Sequence, residues 1–181
     1  DHAGEAAVAE AVALVAASKI AFYGWGTGFR DWDLTCFSGH TTLALAFWPV
    51  ALALLAKPGH PARGLAAALG LIFGGLVGIS RVQLGAHPPS EVVAGTLLGA
   101  GAAAAGLHAL RRHRWPPGPT LATGLACLIA AVWLWRHPTP ALPSERWFAA
   151  IGTGLSGRDG PVDRQRWRYA PSRNDYLFLP R

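Results

Sequence analysis

The sequence predicts an all-α protein, a polytopic bundle of about five transmembrane helices. Its 181 residues are 51% hydrophobic and only 14% charged, whereas about 25% of the residues in a soluble domain are charged. The hydrophobic residues are gathered into runs long enough to cross a bilayer as helices. The composition therefore excludes an ordinary soluble domain.

Five apolar runs are separated by turns rich in glycine, proline or charge. The first run is the weakest, because Glu5, Glu10 and Lys19 lie within it. In the second run, Pro49 is expected to kink the helix. The predicted spans are 5–22, 39–56, 64–80, 88–109 and 120–135.

The third and fourth runs are rich in small residues. Gly70, Gly74 and Gly78 recur every four residues, which places them on one helix face and allows a neighbouring helix to approach closely. Pro88 suits the first position of the fourth helix. After Pro138 the chain turns polar and Arg-rich, so no further crossing is expected. The predicted parts are a transmembrane domain, 1–137, and a C-terminal tail, 138–181.

Basic residues set the predicted orientation. The turns at 57–63 and 111–114 lie on one side of the membrane and carry Lys and Arg, which marks that side as cytoplasmic. The loops 23–38 and 81–87 then lie together on the outer side. The net charge of +6 is assigned to membrane orientation and anionic lipid, and no nucleic-acid partner is expected.

One candidate site follows from the pattern R-x5-H-x3-E formed by Arg81, His87 and Glu91. Glu91 lies one turn into the fourth helix, where its carboxylate can accept a hydrogen bond from one ring nitrogen of His87. That bond fixes the tautomer and leaves the other nitrogen as a nucleophile. The guanidinium of Arg81 suits the oxygens of a phosphate.

The second candidate site is Ser38-Gly39-His40, at the start of the second span. Ser38 is expected to cap the helix, so that the N–H groups of Gly39 and His40 face an anion at the positive end of the helix dipole. His40 can protonate a departing alkoxide. Lys19 adds a cation from a third helix, and the set suits phosphoryl transfer.

These residues resemble the motifs of the type 2 phosphatidic acid phosphatase (PAP2) superfamily, which are K-x6-R-P, P-S-G-H and S-R-x5-H-x3-D. The third motif is matched by Ser80, Arg81 and His87, with Glu91 in place of Asp. The second is matched by Ser38-Gly39-His40, with Phe37 in place of Pro. The first retains Lys19, but Gly26 stands seven residues later and the nearest arginine is Arg30. The resemblance spans roughly residues 15–110.

The resemblance implies a PAP2-like helix bundle with catalytic residues in 1–137. His87 would attack phosphorus to form a phosphohistidine, Glu91 would orient His87, and His40 would protonate the leaving group. No metal or other cofactor is implied. The phosphate would be held by Lys19, Arg81, Ser38, Gly39 and Ser80, with Arg30 as a further candidate.

The expected function is a metal-independent phosphatase acting on a lipid phosphate, in a bacterial inner membrane with the site facing the periplasm. The partners are then the bilayer and a phospholipid or isoprenoid-lipid phosphate, while the oligomeric state is left open. Candidate substrates are phosphatidic acid, phosphatidylglycerol phosphate, undecaprenyl pyrophosphate and a lipid A phosphate.

Two other functions are compatible with the same residues. His40, His87 and Glu91 are formally a metal-binding set of two histidines and one carboxylate, although Lys19 and Arg81 would repel a cation. Alternatively, the departures from the motifs leave a degenerate protein that binds anionic lipid without turnover. Simpler explanations also exist for single residues: Lys19 can snorkel to the interface, and Glu91 can be an ordinary first-turn acid.

Overall fold

The computed structural model describes residues 3–57, 59–112 and 143–169. Within these ranges the chain folds into six α-helices and a short 3₁₀ turn, and it contains no β-strand. The 3₁₀ turn is Arg30–Trp32. The helices are α1 (Ala3–Trp25), α2 (Gly39–Leu55), α3 (Ala62–Gln83), α4 (Pro89–Arg112), α5 (Ser144–Ser156) and α6 (Arg164–Tyr169).

Three of these helices are long and apolar enough to cross a membrane. They contain the spans Gly4–Trp25, Ala62–Gln83 and Pro89–Arg111. Helix α2 is apolar but has 17 residues, which is at the lower limit for a crossing. The prediction of an all-α membrane bundle is therefore confirmed. The predicted fifth span, 120–135, and the domain boundary at 137 lie outside the described residues.

Helix α2 lies at the centre of the bundle and packs against both α3 and α4. The predicted glycine stripe of α3 faces it, since Gly70, Gly74 and Gly78 are all buried. A Cβ at Gly70 would lie 2.5 Å from the backbone of Pro49. On α4, a Cβ at Gly99 would lie 2.5 Å from the carbonyl oxygen of Thr42. Small residues on both sides thus let the three helices pack backbone to backbone.

The described part of the C-terminal tail packs on α1 rather than standing apart from the bundle. Helix α5 meets α1 at a glycine contact, where a Cβ on Gly24 would lie 2.6 Å from the carbonyl oxygen of Gly152. Trp167 of α6 is buried with Phe22, and its indole Nε1 donates to the carbonyl of Gly26 at 2.8 Å. With 13 residues, α5 is too short to cross a bilayer.

This topology brings four helix ends together. Helices α1 and α3 end, and α2 and α4 begin, at the same end of the bundle. The loops 26–38 and 84–88 and the described tail segment lie at that end. The candidate residues found in the sequence are carried by these four helix ends and by the two loops.

Candidate active site

His87 and Glu91 form the centre of the site. His87 Nδ1 and Glu91 Oε2 are 2.6 Å apart, and the side chains are 10% and 0% exposed. Helix α4 begins at Pro89, and the carbonyl of Pro88 accepts from the Glu91 N–H at 3.1 Å. The first turn of α4 therefore places the carboxylate of Glu91 next to the imidazole of His87. The carboxylate therefore fixes Nδ1 and leaves Nε2 of His87 available for chemistry.

The second oxygen of Glu91 is held by the loop before α2. Oε1 accepts from the backbone N–H of Thr35 at 3.1 Å and of Cys36 at 3.3 Å. The hydroxyl of Thr35 also donates to it. These donors stabilise a charge that burial would otherwise penalise strongly.

Arg164 completes the surroundings of this carboxylate. Its Nη2 lies 3.0 Å from Oε1 and 3.2 Å from Oε2 of Glu91, and it also donates to the Thr35 hydroxyl at 2.9 Å. Sequence reasoning missed Arg164 because it is one of several arginines in a polar tail with no motif around it. The only available signal was indirect: a buried carboxylate needs a cation or several donors, and no arginine near Glu91 in sequence supplies one.

His40 lies at the start of α2 and is exposed, whereas Ser38 before it is fully buried. The charged groups that act on the His40 ring are Arg81, His87, Lys19 and Glu145. The structure therefore places His40 near His87 and two of the predicted cations. The first N–H groups of α2, including that of Gly39, belong to the set that a helix leaves without an intrahelical acceptor.

The predicted capping role of Ser38 is only partly correct. Ser38 occupies the N-cap position of α2, but its side chain makes no capping hydrogen bond. Its hydroxyl pairs instead with Thr41 Oγ1 at 2.9 Å, and its carbonyl accepts from the hydroxyl of Thr42. Both bonds lie within the first turn of α2, and Ser38 itself is buried against Gly95 of α4.

Arg81 and Ser80 differ in whether they have a hydrogen-bond donor available for an anion. The Nε of Arg81 is buried and has no hydrogen-bond partner among the described residues, so it is a donor available to an anion. The Ser80 hydroxyl donates to the carbonyl of Val77 at 2.7 Å. The proton of the Ser80 hydroxyl is therefore engaged within α3.

Lys19 lies near the C-terminal end of α1 and is ion-paired with Glu145 of α5. The side chain of Lys19 is 6% exposed and that of Glu145 is 56% exposed. Tyr23 Oη donates to the other oxygen of Glu145 at 2.9 Å. Burial opposes the charge on Glu145, but the hydrogen bond and the charge of Lys19 outweigh it, so the pKa of Glu145 is lowered.

Arg30 lies against the tail. Its guanidinium stacks 5.6 Å from the ring centroid of Trp167, while the neighbouring Asp33 is bound by Arg168, whose Nε is 3.0 Å from Oδ1. Asp33 holds the pKa of Arg168 above its usual value. The loop 26–38 and α6 are thus joined by an ion pair and a cation–π contact, among other contacts.

Cys36 also contacts the buried carboxylate. The residue is 6% exposed, and burial, reinforced by the charge of Glu91, raises the pKa of its thiol to about 11. The residue therefore remains a neutral thiol. Across the three described ranges, no group of three or more His, Cys, Asp or Glu side chains is placed to hold a metal ion.

The described helices therefore form a membrane bundle that carries a His–Glu pair and several cations at one end. The family profile of the PAP2 superfamily matches residues 15–115, which contain all the predicted site residues. The chain belongs to the PAP2 superfamily, whose members are in general phosphatases, and it is an integral membrane protein.

The chain is also similar to a bacterial protein over most of its length. The chain is 39% identical over 154 residues to an "Uncharacterized 22.5 kDa protein in cps region" of Klebsiella pneumoniae. The match covers 84% of this chain and 74% of that protein. No solved structure matches the chain.

Proposed function

We propose that the protein hydrolyses a lipid phosphate or lipid pyrophosphate through a phosphohistidine on His87. The observation that carries this proposal is the 2.6 Å contact between His87 Nδ1 and the buried carboxylate of Glu91. A neutral imidazole held in this way presents Nε2 as the nucleophile, and Glu91 stabilises the cation that forms when Nε2 bonds to phosphorus.

The reaction needs two transfers. In the first, Nε2 of His87 attacks phosphorus, the bond to the leaving oxygen breaks, and His40 protonates that oxygen. In the second, water attacks the phosphohistidine, with His40 accepting its proton, and inorganic phosphate leaves. The buried Nε of Arg81 and the charge of Lys19 would stabilise the equatorial oxygens of phosphorus.

An apolar cavity supports a lipid as the substrate. A cavity of about 750 Å³ opens between α1, α2 and α4, and its lining includes Leu43, Phe47 and Val50. Leu43 lies three residues after His40 in α2, whereas the lining residues of α1 (4–9) and α4 (102–110) lie toward the helix ends away from the histidines, so the cavity extends away from the site along the bundle. A hydrocarbon chain can lie there while its phosphate reaches the histidines.

The experiment is phosphate release in detergent with EDTA present, from a panel of the four candidate lipid phosphates. The natural chain is compared with His87→Ala. Release that survives EDTA and disappears in His87→Ala is the expected result. Release that is lost only on adding EDTA would contradict the metal-independent mechanism.

A second function is favoured by the Lys19–Glu145 ion pair, because it neutralises a cation that the mechanism needs. On that basis the chain would be an anionic-lipid-binding protein without turnover. Saturable binding of a lipid phosphate, together with no release from any member of the panel, would select this function over the first.

A further inference from the structure

Glu145 places a carboxylate among the groups assigned to the substrate phosphate. One of its oxygens is bound by Lys19 and the other accepts from Tyr23 Oη at 2.9 Å. Two oxygens held by an ammonium and a hydroxyl are also what a phosphate group would present there. No sequence motif points to Glu145, which lies 126 residues from Lys19 in the chain.

Electrostatic interactions connect this carboxylate with both candidate catalytic histidines. Glu145 acts on the His40 ring, and His87 acts on Glu145. Both candidate catalytic histidines are therefore within the range of its charge.

The ion pairs around the histidines determine which cations an entering anion can reach. Arg164 offsets Glu91, and Glu145 offsets Lys19. Of the three cations around the histidines, Arg81 is the one that has no carboxylate bound to it within the described ranges. A dianionic phosphate that enters the site must compete with Glu145 for Lys19, because like charges on one cation repel each other.

We propose that Glu145 is a specificity-determining residue that competes with phosphate for Lys19. This inference rests on the proposed function. Free phosphate and small soluble esters would bind weakly because they must displace the carboxylate with phosphate contacts alone. A lipid phosphate would bind because its chain adds binding energy in the apolar cavity. The same competition would help inorganic phosphate leave after turnover.

The geometry allows the carboxylate to move. The Glu145 side chain is 56% exposed, so it can rotate away from Lys19 into solvent. Helix α5 need not shift, because Gly152, about two turns further along, is packed against α1. Displacement is then a side-chain rotation, which exposed residues make rapidly.

The test compares inorganic phosphate affinity in the full chain and in Glu145→Gln. Affinity is read from the phosphate dependence of the melting temperature in detergent, which does not require turnover. Glu145→Gln should bind phosphate about fivefold more tightly, the effect expected on removing one partner of a partly exposed ion pair. The control, Glu10→Gln, makes the same charge change on an exposed residue of α1 nine positions before Lys19 and should leave the affinity unchanged.

Two further variants separate competition from a structural effect. In a Lys19→Gln background the gain from Glu145→Gln should vanish, because no cation remains to compete for. Tyr23→Phe keeps the ion pair but removes the hydroxyl that holds Glu145, and it should tighten phosphate binding about twofold. This milder variant keeps the test valid if Glu145→Gln does not fold.

Equal or weaker phosphate binding by Glu145→Gln and Tyr23→Phe, in a chain that does bind phosphate, would overturn this inference and leave the proposed function standing. Phosphate binding by none of the chains would overturn this inference, whereas the absence of phosphate release from all four lipid phosphates would overturn the proposed hydrolysis.

Discussion

Arg164 donates to both carboxylate oxygens of Glu91, at 3.0 and 3.2 Å, although 73 residues separate them in the chain. On its other side the same carboxylate holds His87. The tail therefore contributes directly to the group that positions the candidate nucleophile. The C-terminal segment and the motif residues of α4 form one site.

Replacing Arg164 should impair both activity and stability. Arg164→Ala leaves a buried carboxylate with one cation fewer, which should cost about 1–3 kcal/mol in unfolding free energy and lower kcat by about tenfold or more. Arg164→Lys should recover part of the loss, because it restores the charge without the planar fork. Arg166→Ala is the matched control, since Arg166 is exposed. Thermal unfolding and phosphate release measure the two effects, and equal losses in Arg164→Ala and Arg166→Ala would argue against the role.

Restoring the aspartate of the family motif should lower activity rather than raise it. In this chain Glu91 reaches His87 on one side and Thr35 with Arg164 on the other. Glu91→Asp withdraws the carboxylate by one methylene, so it cannot keep both sets of contacts at hydrogen-bonding distance. We expect kcat to fall about tenfold, measured as phosphate release at saturating substrate. A kcat equal to that of the natural chain would show that the longer side chain is not required.

His40 should matter most for substrates with poor leaving groups. Its proposed role is to protonate the departing oxygen, and a good leaving group needs little protonation. His40→Ala should therefore reduce turnover of an alkyl phosphate about 10²- to 10⁴-fold, and that of an aryl phosphate such as p-nitrophenyl phosphate much less. Initial rates on the two substrates give the ratio. Equal losses on both would count against His40 as the general acid.

Filling the apolar cavity should lower kcat/KM for lipid phosphates with long hydrocarbon chains. Leu43 lines the cavity at the end nearest His40, and Leu43→Trp adds an indole there. We expect kcat/KM for a long-chain lipid phosphate to fall about tenfold, because the chain loses buried apolar contacts. A soluble phosphate ester should be hydrolysed as before, and it serves as the internal control. A parallel loss on both substrates would indicate damage to the site instead.

The close contact between α1 and α5 should be needed to hold the tail residues Glu145 and Arg164 in the candidate site. A Cβ at Gly152 would lie 2.7 Å from the carbonyl oxygen of Ile20, whereas Gly154 in the same helix has open space around it. Gly152→Ala should destabilise the fold by about 1–3 kcal/mol through overpacking and should reduce activity by moving Glu145 and Arg164. Gly154→Ala should be neutral or stabilising by up to about 1 kcal/mol. Melting temperatures in detergent compare the two, and similar values would refute the close contact.

Much of the fold followed from local patterns. The apolar runs predicted four described helices to within a few residues, because a membrane requires long uninterrupted hydrophobic segments. The stripe of Gly70, Gly74 and Gly78 predicted a close helix contact, and α2 occupies it. The pair His87 and Glu91 was also predictable, because four residues at the start of a helix place two side chains on one face.

The tail could not be placed in the same way. Its arginines are alike in sequence, and only the packing of α5 and α6 on α1 decides that Arg164 meets Glu91 while Arg168 meets Asp33. Glu145 was missed for the same reason. Even within a motif the sequence could not show that the Ser38 hydroxyl bonds to Thr41 instead of capping α2.

By itself, the sequence determined a helical membrane protein of the PAP2 superfamily with its candidate nucleophile, acid and cations at one membrane face. Hydrophobic periodicity and the spacing of motif residues predict these features, because both reflect contacts within one or two helical turns. The tertiary structure alone decided which charges neutralise one another: Arg164 on Glu91, and Glu145 on Lys19. Such pairs form between residues far apart in the chain, and burial makes them necessary only after the helices have packed.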